Sequence, residues 1–295
     1  MLTSFSFDYF FWVVALGTMA LGFVSGVVGT TIVLEKQSQL GDAMGHAAYP
    51  GVILAFMLFQ TRHSFILILG AVAVGVLAFA LIRFIRTHSR FSYESILALV
   101  LSSFFSIGLL LYNIVQTNPT FQTVNFAGLD TYIMGQAAFM MQGDVQIIVT
   151  AALVILAVFA LLYPQIKMTL FDQTFAQAIG INSRAISGIL LLMCLVGIAL
   201  GLQAVGAKLI SSFLVAPAVA AQQWTNSYPK MIALAGIFGM AAAFIGTLLS
   251  TVISNLATGP VIVVVLTVIT LGSLLIGSKG LLASIFNRQQ EVAKG

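Results

Sequence analysis

Nine continuous apolar runs make up most of the chain and constrain its fold more than any other feature. They lie at residues 10–34, 45–60, 64–85, 93–115, 146–164, 184–202, 207–222, 230–254 and 258–277. A helix needs about 20 apolar residues to cross the hydrocarbon core of a bilayer. Only 7% of the residues are charged, against about 25% in soluble domains, which excludes a water-soluble globular protein.

The runs are continuous rather than alternating, which favours helices over a β-barrel. The sequence therefore predicts an all-α, polytopic membrane protein with about eight or nine transmembrane helices. We expect residues 1–295 to form a single transmembrane domain. The runs at 45–60 and 207–222 are short enough to be half-spans or re-entrant segments.

The positions of Lys and Arg predict the orientation. If the N-terminus lies outside and each run crosses once, ten of the twelve Lys and Arg residues fall inside, and Arg62 and Lys208 fall outside. We therefore expect a cytoplasmic C-terminus; an even number of crossings would place it outside, unless one run is re-entrant. No Lys or Arg precedes the first run, so a signal peptide is not indicated and we expect this segment to be retained.

Two segments between the runs are long. Residues 116–145, on the predicted outer side, are polar with interspersed aromatic residues and methionines. Residues 165–184, on the predicted inner side, have the pattern of a short amphipathic helix closed by Gly180. Structured loops in a membrane protein are candidates for docking partner proteins. The alternative is that both segments simply cap the ends of helices.

The chain also contains small residues at helical spacing, namely Gly22 and Gly26, Gly197 and Gly201, and Ala43, Ala47 and Gly51. Such spacing predicts close helix–helix packing in a bilayer.

The residues that could bind a ligand are concentrated in residues 40–51, LGDAMGHAAYPG. Asp42 and His46 are four residues apart and share one face of a helix. Ionisable side chains are costly in a bilayer and usually face a cavity or a partner. One carboxylate oxygen and one imidazole nitrogen suit Mn, Fe or Zn. The alternative is that Asp42 caps the helix N-terminus while His46 hydrogen-bonds a carbonyl.

Several other functions are excluded. The single cysteine, Cys194, cannot support a disulfide framework or a cysteine-rich metal site. The chain has no phosphate-binding GxxxxGK[ST] loop and no HExxH or GxSxG motif. An intramembrane aspartyl protease needs a second aspartate facing Asp42, and we expect the other aspartates to lie in tails or loops. No basic stripe indicates nucleic-acid binding.

Three ordered motifs resemble those of one family, the permease subunits of metal-cation ABC importers. GDAMGHAAYPG, from Gly41, resembles the family signature GDAxSHAxLPG. FDQTFAQAIG, from Phe171, resembles the coupling segment FDxxxAxxxGI, and residues 206–218 resemble GxxLIxxxLLxxPA. The outer loop is most similar to that of the manganese-type members. The chain departs from the pattern at Glu35 and Lys36, where a basic pair is common, and at Gly45 and Tyr49.

The resemblance implies a bundle like that of type II ABC importer permeases, carrying manganese, zinc or iron as cargo rather than as a permanent cofactor. It implies that Asp42 and His46 are metal ligands, and that Gly45 removes a serine hydroxyl from beside them. It also implies a cytoplasmic coupling helix at 171–180, in which Phe171, Asp172, Phe175, Ala176 and Gly180 transmit motion from a separate ATPase subunit.

The partners that the resemblance implies are that ATPase, a second permease chain (identical or paralogous) and an extracellular metal-binding lipoprotein that docks on the extracellular loop 116–145. The protein would be a transport subunit and not an enzyme, located in the plasma membrane of a bacterium. Two alternatives stay open at this point. One is a secondary carrier or channel driven by an ion gradient, and the other is a purely structural membrane subunit.

Overall fold

The computed structural model describes residues 9–118, 121, 132, 135, 137, 140–253 and 256–280. Ten helices lie within these ranges: α1 (Tyr9–Leu34), α2 (Ser38–Phe59), α3 (Ser64–His88), α4 (Tyr93–Thr117), α5 (Gln142–Phe171), α6 (Gln173–Ala178), α7 (Ser183–Val205), α8 (Ile210–Gln222), α9 (Tyr228–Val252) and α10 (Thr258–Ile276). Eight of them are long and apolar enough to cross a membrane. The predicted all-α, polytopic architecture is confirmed.

The two short apolar runs behave differently. Helix α2 begins at Ser38, so the run at 45–60 belongs to a helix of 22 residues and is not a half-span. Helix α8 has only 13 residues, about 20 Å of helix, which is short of the roughly 30 Å hydrocarbon core. The expectation of a segment too short to cross the membrane is therefore wrong for residues 45–60 and confirmed for residues 207–222.

The helices define two ends of the bundle. We call the end at which α3 and α5 begin the loop face; there the Ser64 hydroxyl donates a hydrogen bond to the Asp144 carboxylate. We call the opposite end the α6 face; there the Lys279 N–H donates to the carbonyl of Gln223, just after α8, at 3.0 Å. Residues 206–222 connect the two regions, and α1 and α10 begin at the loop face.

The centre of the bundle is built on close contact between α1 and α9. A Cβ at Gly22 would overlap the backbone carbonyl of Gly239, and a Cβ at Gly26 would overlap that of Ala235. Because lipid tails are as apolar as leucine, such backbone contact rather than apolar burial holds membrane helices together. The predicted packing role of Gly22 and Gly26 is confirmed.

The other small-residue pairs have mixed outcomes. Gly51 of α2 lies directly against the backbone of Gly70 in α3, and Gly201 contacts Ile210. No atom lies within 4 Å of a Cβ built at Gly197, so the spacing of Gly197 and Gly201 does not mark a joint packing face.

Helices α3, α4 and α5 form the periphery. Only 28%, 22% and 28% of their most apolar segments are buried, against 67% for α1 and α2. Their large exposed side chains, such as Leu69, Leu110 and Leu161, are suited to contact with lipid. The polar and ionisable residues of α2 therefore lie on an inner helix of the bundle.

We predict that Gly22→Ala lowers the free energy of unfolding by about 1–3 kcal/mol, because the added methyl group overpacks a backbone contact. Apparent melting temperatures of the detergent-solubilised protein would measure the effect, and Gly197→Ala is the matched control because its methyl group meets open space. Equal melting temperatures for the two variants would contradict the α1–α9 contact.

Candidate functional site

The structure brings Asp42 and His46 together on one face of α2. The Nε2 atom of His46 lies 3.6 Å from Oδ1 of Asp42, which is too long for a hydrogen bond. Two ligands about 2.1 Å from one cation at a tetrahedral angle are about 3.4 Å apart. The separation therefore suits a cation bound between the two side chains.

The alternative roles for these residues are not observed. Gln37 occupies the N-cap position of α2 and makes no side-chain capping hydrogen bond, and Asp42 lies in the second turn. The Nδ1 atom of His46 is buried and has no hydrogen-bond partner among the described residues. Helix capping by Asp42 and carbonyl binding by His46 Nδ1 therefore do not explain the pair.

Two side chains do not complete a coordination sphere. Within the described part of the chain, no three His, Cys, Asp or Glu side chains form a group that could hold a metal ion. Pro50 has no N–H to donate to the carbonyl of His46, four residues before it, so the normal helical partner of that carbonyl is missing. Backbone oxygens freed in this way can coordinate ions in membrane proteins.

The two side chains differ in exposure. The imidazole of His46 packs edge-on against the ring of Phe105 in α4, with centroids 4.7 Å apart, and only 13% of the side chain is exposed. The side chain of Asp42 is 41% exposed. The aromatic contact restricts the imidazole, while the carboxylate is open to a ligand.

The depth of the pair follows from the contact between Gly51 and Gly70. Gly70 lies six residues after the start of α3, and Gly51 packs against it. At 1.5 Å per residue, and neglecting tilt, His46 lies about 17 Å and Asp42 about 23 Å from the loop-face end of α3. His46 therefore lies deep in the bundle, and Asp42 lies about one turn, roughly 6 Å, from the α6-face start of α2.

Asp42 opens into a groove of 460 Å³ between α2, α8 and α10. The polar side chains that line the groove are Ser38, Gln39, Asp42, Ser211, Ser212, Thr267 and Thr270. The Thr267 and Thr270 hydroxyls donate hydrogen bonds to backbone carbonyls, so the Asp42 carboxylate is the lining group that lipid cannot satisfy and that suits the groove to water, an ion or another chain. The sequence analysis missed these hydroxyl groups, although Thr267 and Thr270 share a helical face within an apolar run.

Gly45 has a packing role beside the pair. A Cβ at this position would overlap the Cγ2 atom of Ile210, at the start of α8, and would lie 3.7 Å from the carbonyl oxygen of Ala207. Glycine therefore lets α8 approach α2 at the turn that carries Asp42 and His46. Where the family pattern has a serine side chain, this chain has a direct contact between α2 and α8.

The second predicted site, residues 171–180, is not one helix. Helix α5 continues to Phe171, so the expected amphipathic helix does not include residues 165–171, and α6 has only six residues. The Asp172 carboxylate accepts a hydrogen bond of 2.8 Å from the Phe175 N–H and so caps α6. Phe171 and Phe175 are 62% and 53% exposed, which leaves two aromatic side chains accessible at the α6 face.

The other two residues of this segment shape it. Ala176 is fully buried, so it anchors α6 to the bundle. Gly180 has a φ of +86°, a conformation that favours glycine, and ends the segment as predicted. Both residues therefore shape the segment, and their part in coupling to an ATPase subunit stays a prediction.

A polar cavity of 380 Å³ lies between α6 and the turn that joins α1 to α2. Glu35 from this turn and Gln173 from α6 both line it. Partial burial raises the pKa of the Glu35 carboxyl above its usual value. The cavity places α6 beside the turn that begins α2, and Asp42 follows Glu35 by seven residues.

At the loop face, most of residues 116–145 lie outside the described residues. Asp144 accepts hydrogen bonds from the backbone N–H of Met141 at 2.9 Å and from Gln203 at 3.3 Å. The Ala207 N–H donates to the carbonyl of Tyr132 at 2.9 Å. Burial, with a smaller effect of Asp144, raises the pKa of the Tyr132 hydroxyl. Tyr132 thus contacts the turn before α8.

Comparisons with known proteins agree with this architecture. The model of the ABC 3 transport family matches residues 6–277. The chain is 38% identical over 284 residues to the zinc transport system membrane protein TroC of Treponema pallidum, covering 96% of this chain and 94% of the relative.

Two further matches are informative. The manganese transport system membrane protein MntC of Bacillus subtilis is 36% identical over 92% of this chain, which spans 62% of that relative's length. A chain in the solved structure of PsaBC from Streptococcus pneumoniae in complex with Fab has a TM-score of 0.81 at 28% identity. The match covers 92% of this chain and 93% of the solved chain.

We predict that Gly45→Ser destabilises the protein, and that the penalty is smaller when Ile210→Ala has removed the obstructing methyl group. A double-mutant cycle on thermal stability should give a coupling of about 0.5–3 kcal/mol between the two positions. Gly41→Ser is the control, because its Cβ meets only the end of the Leu214 side chain, at 3.3 Å. Additive effects of Gly45→Ser and Ile210→Ala would contradict the contact.

Proposed function

The chain belongs to the ABC 3 transport family, and from this membership we propose that it is the permease of an ATP-driven importer for a divalent transition-metal cation. It is a multi-pass bacterial membrane protein and a transport subunit rather than a catalytic one. The observation that carries the proposal is the Asp42–His46 pair, 3.6 Å apart, in which the Asp42 carboxylate opens into the groove between α2, α8 and α10.

In this proposal Asp42 and His46 bind the ion as it passes through the bundle. The carboxylate supplies an oxygen ligand and His46 Nε2 supplies a nitrogen ligand, while the His46 carbonyl and water supply further ligands. An incomplete site suits transport, because an ion held by a full set of protein ligands would leave slowly.

A second permease chain, identical or paralogous, would cover the groove between α2, α8 and α10. Its hydroxyl groups and the exposed Asp42 carboxylate would then face a passage between the two chains instead of lipid. The hydroxyls of Ser211, Ser212 and Thr267 would replace part of the ion's hydration shell along this passage.

Manganese is the favoured cargo, with zinc or iron as alternatives. One carboxylate, one imidazole and several hydroxyl oxygens form a set that is richer in oxygen than in nitrogen and contains no sulfur. Oxygen ligands suit manganese, whereas zinc sites commonly use several His or Cys ligands. Several relatives are named as manganese transport proteins, whereas TroC is named as a zinc transport protein.

Phe171 and Phe175 would dock into a groove on the ATPase subunit at the α6 face. ATP binding would move α6, and the cavity shared by Gln173 and Glu35 offers a route from α6 to the start of α2. The bundles would then rock so that the passage opens to the other side of the membrane.

The α6 face is cytoplasmic in this proposal, so the N-terminus is outside and the C-terminus is inside. An extracellular metal-binding lipoprotein would dock on residues 116–145 and deliver the ion. Contact between Tyr132 and the turn before α8 would link the docking surface to the passage. A secondary carrier without an ATPase is the alternative function, and family membership weighs against it.

We predict that Asp42→Ala and His46→Ala reduce uptake of radioactive manganese to background, because each removes a ligand from the passage. The conservative variants Asp42→Asn and His46→Gln should also lose most uptake while keeping wild-type assembly with the ATPase subunit. Glu94→Gln is the control, since Glu94 is an exposed carboxylate at the start of α4. Normal uptake by the Asp42 and His46 variants would remove both residues from the pathway.

We predict that Asp172→Ala and Phe175→Ala uncouple ATP hydrolysis from transport, because one removes the cap of α6 and the other removes an exposed aromatic contact. Reconstituted complexes should hydrolyse ATP with at least a severalfold lower metal yield per ATP. Phe65→Ala removes a side chain of similar exposure at the loop face and should couple normally. Wild-type coupling in the Asp172 and Phe175 variants would refute the role of α6.

A further inference from the structure

Three arginines lie at or just beyond the α6-face end of α3 and form no ion pair with the carboxylates of the described residues. Residues 83–92, RFIRTHSRFS, include Arg83, Arg86 and Arg90 and no acidic residue. Across the described ranges, Asp42 and His46 form the ion-pair contact within 4 Å, and no carboxylate lies that close to these guanidinium groups. All three arginines are exposed. Within the described residues, the nearby carboxylates of Glu35 and Glu94 make no ion pair with the cluster, which is a concentration of positive charge.

The position of the cluster is fixed by α4. The guanidinium carbon of Arg86 lies over the ring of Tyr93, 4.9 Å from its centroid, at the first residue of α4. Arg83 lies one helical turn before Arg86, on the same side of α3. The charges are thus held where the ends of α3 and α4 meet.

The same side of α3 continues as an apolar stripe. Phe65, Leu69 and Val76 lie 18, 14 and 7 residues before Arg83, which is close to a whole number of turns in each case. They are 54%, 53% and 40% exposed. A row of exposed apolar side chains that ends in exposed arginines matches the acyl chain and headgroup of a lipid.

We propose that the end of α3 and the start of α4 form a binding site for an anionic phospholipid. Arg83, Arg86 and Arg90 contact the headgroup phosphate, because guanidinium groups donate paired hydrogen bonds to phosphate oxygens. One acyl chain lies along Val76 and Leu69. The site is separate from Asp42 and His46 and does not depend on the transported ion.

The surroundings favour a lipid over a protein partner. Phe84 and Phe91 are 59% and 69% exposed beside the arginines, and exposed aromatic side chains are common at the membrane–water boundary. Helix α6, with its own exposed aromatic residues, approaches α3 at the cavity that Phe79 and Gln173 both line. The arginines instead continue the peripheral surface of α3.

The test is native mass spectrometry of the full-length chain, delipidated in mild detergent and titrated with phosphatidylglycerol or phosphatidylcholine. We expect tighter binding of phosphatidylglycerol. Replacing the three arginines together (Arg83→Gln, Arg86→Gln and Arg90→Gln) should weaken that binding on the order of tenfold or more and leave phosphatidylcholine binding unchanged. The matched control replaces three exposed cations elsewhere, Lys167→Gln, Arg184→Gln and Lys230→Gln, and should bind like the wild type.

Several results would overturn the proposal. One is wild-type affinity for phosphatidylglycerol in the triple arginine variant, and another is an equal loss in the control variant. Displacement of the lipid by excess inorganic phosphate would show a site for the free anion. Intact lipid binding together with lost assembly with the ATPase subunit would assign the arginines to a protein interface. If the triple variant does not fold, Arg83→Gln alone decides, since it keeps the contact between Arg86 and the Tyr93 ring.

Discussion

In a bilayer, no hydrophobic driving force favours burying apolar side chains between helices, because the lipid tails are equally apolar. The bundle therefore depends on backbone contact, which only small residues permit. Gly22 and Gly26 bring α1 against α9, and Gly51 brings α2 against Gly70 of α3. These contacts place α2 inside the bundle, where an ionisable pair can be kept away from lipid. Gly45 extends the same principle to the site itself, since it admits Ile210 against the turn of α2 that carries Asp42 and His46.

The site and the two faces of the bundle are connected through short segments of chain. Glu35, in the turn before α2, shares a polar cavity with Gln173 of α6. At the other end, Ala207 lies next to Gly45, and its N–H donates a hydrogen bond to the carbonyl of Tyr132. Because a short helix and a turn replace a full-length span between Val205 and Tyr228, α8 can contact both α2 and the loop face. This arrangement gives each face a physical path to the Asp42–His46 pair.

Local sequence patterns predict the parts of the structure that depend on neighbouring residues. The apolar runs predict the long helices, and the four-residue spacing predicts that Asp42 and His46 share a face. The start of α2 is missed because SQLGDAM is not apolar, and the length of α5 is missed because the polar segment after Pro164 stays helical. The hydroxyl groups beside Asp42 come from helices more than 160 residues away, and the clash that requires Gly45 comes from Ile210. Contacts between such distant segments leave no local pattern.

Asp42 and His46 are neighbours on adjacent turns of one helix, and this has a consequence for how the proposed site would release a cation. When two ligands come from different helices, sliding those helices pulls the donor atoms apart and ejects the ion. Here the backbone of α2 holds the spacing between the two residues nearly constant during any rigid-body motion. In the proposed function, the affinity of the pair for the cation is therefore changed by further ligand atoms that approach or leave from outside α2. The pair is the fixed part of the binding site, and these other ligands are the mobile part.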